Sequence, residues 1–174
     1  MKTKYFFLFL IFCGIHLTCV AAKKQEPLTA VLIHELKCNS EKAYSYFIDF
    51  EKFGKLHPVI KETKKIKAGS GDTIGEYAIK EFIFLFGFIP LRPRYNATVI
   101  ETEKGKKIKY TSQVKKGIYL EIVFEFSEST DKNSCAIKEE ITIRGKHSTS
   151  KILLKQMKKK HLILVENLKK EIQV

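Results

Sequence analysis

Residues 40–66 read SEKAYSYFIDFEKFGKLHPVIKETKKI, and three kinds of local structure follow one another within them. Ser40 is an N-cap candidate, because its hydroxyl can accept from a backbone N–H of the first helical turn. Behind it Ala43, Tyr44, Phe47 and Phe50 recur at steps of three and four, which puts apolar side chains on one helical face. EKFGKLHP (51–58) offers a second short helical turn. Gly54 interrupts it, and Pro58 ends it by disfavouring the α conformation in the residue before it. VIKETKKIK (59–67) then reads as a strand.

Upstream of this stretch, LTAVLIHEL (28–36) has the β-branched, apolar character and the length of a strand. Downstream, strands and turns continue to about residue 146. TIGEYAIKEFIF, RYNATVIE, KIKYTSQV, IYLEIVFEF and CAIKEEITIR alternate with period two, separated by AGSGDT, TEKGK, KKG and SESTDKNS. Turn signals about ten residues apart predict an antiparallel meander. The third strand is expected to run through about Ile83 or Phe84, with LFGFIPLRP (85–93) as the connection to the fourth. The last segment differs. Between Ser148 and Val174 there is no Gly or Pro, and Leu154, Met157, His161, Val165, Leu168 and Ile172 recur at helical steps. That predicts one long amphipathic helix with a lysine-rich outer face, capped by Ser148, Thr149 or Ser150. A bent sheet cannot bury its concave face alone, so this helix should lie in the bend. The fold class expected is α+β: β-α-α-β6-α, a curved antiparallel sheet of about seven strands around a C-terminal helix.

The N-terminus does not belong to that pattern. Residues 1–22 carry Lys2 and Lys4, an apolar run from Tyr5 to about Val20, and small residues Val20 and Ala22 at the spacing signal peptidase requires. A cleaved signal peptide is expected, hence a secreted or periplasmic protein. An uncleaved anchor is the alternative, because the run approaches the ~18 residues that span a bilayer. A lipoprotein processed at Cys19 is a third possibility, although His16-Leu17-Thr18 is a poor match to the usual box. Residues 23–27 form a polar lead and 28–174 a single domain. The formal charge of +13 falls to +11 with the two signal lysines removed. Such a charge favours an anionic partner surface, and export turns that expectation from nucleic acid to acidic lipid head groups. Simple solubility is the competing explanation. Only Cys38 and Cys135 lie outside the signal, with no CxxC and no Cys/His cluster, so no metal and no cofactor is expected. Gly69, Gly71 and Gly75 match neither the dinucleotide nor the Walker pattern and read as a hairpin turn. Asn96-Ala97-Thr98 is a glycosylation sequon, meaningful only in a eukaryotic source.

With this element order the chain resembles the START-like (SRPBCC) superfamily, the helix-grip fold of lipid-transfer domains, pollen-allergen-type proteins and polyketide cyclases. The similarity runs over roughly residues 28 to 172. SEKAYSYFIDFEKFGKLHPVIKETKKI is similar to the family's opening, in which a cap and first helix run into a Phe…His-Pro turn. GSGDTIGEY (69–77) resembles the glycine-rich turn between the second and third strands. The resemblance implies a large apolar cavity between sheet and long helix that takes lipids, sterols or other hydrophobic small molecules. It also implies that the first and last strands pair antiparallel, bringing Cys38 beside Cys135, where a disulfide is expected and two buried free thiols are the alternative.

Strand alternation then gives the inner face. It carries Tyr77, Ile79, Glu81 and Ile83, then Tyr95, Ala97 and Val99, then Ile108, Tyr110 and Ser112. Leu120, Ile122, Phe124 and Phe126 follow, with Ile137, Glu139, Ile141 and Ile143 last. Candidate ligand-binding residues are Tyr77, Glu81, Tyr95, Tyr110, Phe124, Glu139, Met157 and His161. A one-residue slip would turn the two glutamates outward, which their lysine-rich strands also fit. Inward, they need partners, water or a cavity. His161 reads equally as a core histidine, and His57, before Pro58, as a helix-ending hydrogen bonder. In the apolar connection, Leu85, Phe86, Phe88 and Ile89 are expected to form a hydrophobic lip at the cavity mouth, with Arg92 and Arg94 facing anionic groups. A loop folded back to plug the core is the competing form. The expected function is a monomeric, non-enzymatic carrier or sensor of a hydrophobic small molecule or lipid. The alternatives are a cyclase- or hydrolase-like enzyme, requiring Glu81, Glu139 and His161 to converge, and a basic membrane-surface adaptor.

Overall fold

The computed structural model describes residues 26–172 apart from 86–87, 130 and 132. The signal segment 1–22 and the lip residue Phe86 therefore lie outside the described residues. β1 (Leu28–Leu36) leads into α1 (Ser40–Ile48) and α2 (Phe50–Leu56). Then come β2 (Ile60–Ala68), β3 (Thr73–Glu81), β4 (Ile83–Leu85), β5 (Ile89–Leu91), β6 (Arg94–Glu103), β7 (Lys107–Lys115), β8 (Ile118–Glu128) and β9 (Cys135–Arg144), before α3 (His147–Ile172). Seven strands form one sheet in the order β1-β9-β8-β7-β6-β3-β2, every pair antiparallel. Register shifts interrupt β2 at two places, Ile60/Glu62 and Lys65/Lys67. Such bulges bend a strand and increase its twist.

The two short helices are set by their caps. Asn39, rather than Ser40, caps α1: its side chain accepts from Lys42 N at 2.8 Å. Both residue types can cap, and here tertiary contact decides, because Ser40 is occupied elsewhere. Its N–H and hydroxyl both donate to Glu128 Oε1, at 2.9 and 2.5 Å, tying the helix to the end of β8. Asp49 breaks the chain between the helices and caps α2 through Glu51 N and Lys52 N. Gly54 has a packing reason: a Cβ there would stand 2.6 Å from Thr63 Cγ2 of β2.

The apolar connection corrects the expectation. β3 stops at Glu81, and the run after it forms a separate two-stranded ribbon, with Ile83 opposite Leu91 and Leu85 opposite Ile89. The Phe82 N–H leaves the β3 ladder and donates to Val59 O at 2.8 Å.

β1 and β9 pair from Leu28↔Ile143 to Leu36↔Cys135, which brings the cysteines together as expected. The disulfide itself is not formed. Cys38 Sγ and Cys135 Sγ lie 3.8 Å apart as buried free thiols, beyond the ~2.05 Å of a disulfide bond. Burial first, and the neighbouring Cys38 second, push the Cys135 thiol up to about 12, so the reactive thiolate is scarce at neutral pH. Titration without reductant is expected to find both thiols after denaturation and almost none in the native protein. Finding none in the denatured protein would mean a bridge.

α3 divides into two parts. His161, Leu164, Val165 and Leu168 are buried, while in the first half only Ser150 is. The second half seals against a core that includes Phe47, Phe124, Ile137 and Ile141. The first half roofs a cavity.

Candidate functional site

That cavity lies between the inner face of the sheet, α2 and α3. Its apolar walls include Phe50, Phe53, Ile79, Ile122, Leu153 and Met157, and its polar groups include His57, Glu81, Tyr95, Lys160 and His161. About 90 Å3 is open to the centre of a water-sized sphere. At roughly 10–15 Å3 of such space per water, and about 30 Å3 of liquid volume each, it has room for on the order of 200 Å3 of ligand. Common ligand pockets run to roughly 300–1,000 Å3, so this one is suited to a compact molecule.

Both inner glutamates point inward. Glu139 of β9 is fully buried between two histidines. His34 Nε2 of β1 lies 3.1 Å from Oε2, and His161 Nδ1 of α3 is in direct contact with Oε1. Burial alone would raise the Glu139 carboxyl. The electrostatic pull of His161, with hydrogen bonding from His161 and His34, outweighs it and holds the group below the usual carboxylate range. Each nitrogen faces a different oxygen of the carboxylate, and no group of three or more His, Cys, Asp or Glu is placed to hold a metal ion among the described residues. Glu81 is engaged separately: the Tyr95 hydroxyl donates to its Oε1 at 2.5 Å. Burial raises the Glu81 carboxyl, opposed by that hydrogen bond and by His161. The three-way convergence expected of an enzyme is thus replaced by two separate groups, Glu139 with His34 and His161, and Glu81 with Tyr95.

Of the eight candidate binding residues, Glu81, Tyr95, Tyr110, Met157 and His161 line the cavity. Tyr77, Phe124 and Glu139 share the inner face but sit in the core. Tyr77 packs on Phe50 and Phe124 on Phe47 and Phe53, while Glu139 lies behind His161. The Tyr110 hydroxyl is also committed, because it donates to Phe47 O, one of the carbonyls the end of α1 leaves without an intrahelical partner. Tyr110→Phe is expected to cost about 1–3 kcal/mol in denaturant unfolding while leaving the cavity's shape intact.

His57 ends α2 as its sequence context implies, and its side chain adds a place in the cavity wall. Its backbone N–H bonds Phe53 O at 3.1 Å, and its side chain leaves Nδ1 buried without a partner. Its ring stands edge-on to His161 with centroids 5.3 Å apart. Burial first, then His161 and Lys160, push its titration well below the ordinary histidine value.

The cavity adjoins β4. Val59, Ile83, Gln156 and Lys160 border both the cavity and an outer groove formed by Pro58, Lys61, Phe82, Phe84, Lys155 and Lys159. Glu81 likewise borders the cavity and a second groove that holds Lys61, Lys80, Arg92 and Arg94. Phe88 is 72% exposed and Phe84 50%, with Ile89 and Leu91 also exposed. Phe88 and Ile89 therefore do not plug the core.

No protein-family model matches the sequence, and no curated protein matches it. Solved structures do. One is a START superfamily protein from Mycobacterium smegmatis, with TM-score 0.63 and 14% identity over 83% of this chain and 97% of that one. The chain has a START-like fold. The Zhui aromatase/cyclase from Streptomyces sp. R1128 superposes with TM-score 0.67 at 6% identity, covering 85% of this chain and 94% of its own. The allergen Ara h 8.0201 matches at 0.63 and 13%, over 85% and 99%. In this START-like chain the helix-grip arrangement is explicit: α3 lies against the sheet, with the cavity beneath its first half.

Proposed function

We propose that this START-like protein binds a compact hydrophobic molecule in the cavity beneath α3 and takes it up at an anionic membrane surface through the mouth beside β4 and β5. The observation that carries the reading is an apolar cavity that shares Val59, Ile83, Gln156 and Lys160 with an adjoining groove carrying Phe82 and Phe84 beside Lys61, Lys155 and Lys159. Phe84, Phe88, Ile89 and Leu91 are exposed on one short ribbon and its turn, and exposed apolar side chains gathered on one element mark an interaction site. Around it stand Lys61, Lys80, Arg92, Arg94, Lys155 and Lys159, which acidic head groups attract at short range. Export by the 1–22 segment would put the protein where such a carrier meets a membrane from outside, and N-terminal sequencing of the exported protein tests that part.

The binding reading is tested by mass spectrometry of organic extracts of the purified protein. A stoichiometric small hydrophobic compound supports it; no such compound, and no binding of added apolar ligands, would overturn it. For the mouth, the double substitution Phe84→Ser/Phe88→Ser is expected to lower binding to vesicles containing phosphatidylserine at least fivefold with little change in Tm. The remaining attraction should weaken with salt, as screening requires. A large loss of Tm instead would make the ribbon part of the core.

A further inference from the structure

The proposed cavity ends on His161, and the surroundings of that ring restrict what can bind against it. His161 is buried, its Nδ1 lies in direct contact with the Glu139 carboxylate without an aligned hydrogen bond, and its ring lies nearly parallel to Phe124, 7° between planes. The carboxylate behind it is held in turn by His34. The ring is thus fixed in orientation, and the nitrogen left to meet a cavity occupant is Nε2. Beside it stands His57, whose buried Nδ1 has no partner, at a centroid distance of 5.3 Å. Buried nitrogens of this kind are seldom left unsatisfied.

The geometry points to a compact apolar alcohol or phenol as the ligand class, its hydroxyl bound at His161 Nε2 and within reach of His57, its hydrocarbon body between Phe50, Phe53, Leu153 and Met157. A neutral imidazole presents a lone pair at Nε2 and an imidazolium presents an N–H. A hydroxyl complements both, donating to the first and accepting from the second, and keeps a further hydrogen-bonding capacity for His57. A purely hydrocarbon ligand of the same shape would fill the cavity and leave these nitrogens unpaired. Sites built to hydrogen-bond a hydroxyl discriminate strongly against analogues that lack it. The inference rests on the cavity-binding reading and adds the polar group it selects.

The test is a pair of near-isosteric ligands, 2-naphthol and 2-methylnaphthalene, titrated into the full-length protein and into His161→Phe. The wild type is expected to bind the naphthol at least tenfold more tightly, although the methyl compound is the more hydrophobic. His161→Phe should abolish that preference while still binding the methyl compound. If the wild type binds both equally, or prefers the methyl compound, the hydroxyl site is wrong and the cavity-binding reading stands. If it binds neither, both fall. A tenfold preference that survives in His161→Phe also overturns the assignment. The wild-type comparison remains decisive if the variant does not fold.

Discussion

Replacing Glu139 by alanine is expected to lower the unfolding free energy by about 3–5 kcal/mol, the usual cost of removing one partner from a buried ionic pair. The carboxylate is fully buried and joins three elements: β9, on which it sits, β1 through His34, and α3 through His161. Without it two buried imidazoles lose their common partner and α3 loses its polar anchor to the sheet. Glu139→Gln should cost less, because the side-chain volume is kept and one oxygen can still accept. Urea unfolding of the two variants at pH 7 checks the order; equal and small losses would mean that the packing of α3 alone holds the helix. The same cluster sets the acid limit. The Glu139 carboxyl titrates lower in the folded protein than in the unfolded chain. Its stabilisation is therefore full above the unfolded value and is lost as pH falls through the folded one. His57 acts in the same direction. The unfolded chain takes up a proton there below about pH 6.5, which the folded protein resists because the ring is buried. Stability should decline from about pH 6.5 downward and further in the carboxylate range.

Phe47→Ala is expected to cost about 3–5 kcal/mol. Phe47 is almost fully buried and meets Phe53, Phe124 and Phe126 at centroid distances of 5.6, 4.7 and 5.2 Å. It comes from α1, whereas Phe124 and Phe126 come from β8, so its loss uncouples the helix pair from the sheet. The neighbouring rings are held from several sides, so the space cannot close fully. Phe50 also lies on the cavity wall, and a shift of α1 and α2 would carry it along. Calorimetry should show a correspondingly lower Tm. A loss below about 1 kcal/mol would mean that the cluster collapses into the space, as sites free to relax do.

The element order was legible because the period changes cleanly along the chain. IYLEIVFEF alternates without a fault and occupies β8 with every second residue buried. The inward direction of Glu81 and Glu139 followed from the same alternation. Their partners did not. His34 reads as one more position in a β-branched strand, and only the β1–β9 register, which puts His34 opposite Ile137 and Leu32 opposite Glu139, brings its ring to the carboxylate. The expected meeting of Cys38 and Cys135 already set the end of β1 beside the start of β9, so the signal existed and lay in the pairing rather than in any motif. The β4–β5 ribbon was hidden for a different reason. Its strands are three residues long and apolar on both faces, so no period distinguishes them from a connection. The helix-ending role of His57 was legible, but its place in the cavity wall was not, because Pro58 explains a helix end whatever the side chain does.

Under the proposed function a compact hydrophobic ligand sits beneath the first half of α3. Intermolecular NOEs between bound naphthalene and the labelled protein test it most directly. The expected contacts are to the methyl groups of Met157, Leu153, Ile79 and Ile122. At saturation, NOEs confined to the outer face of the sheet or the exposed side of α3, with none to these four residues, would contradict it.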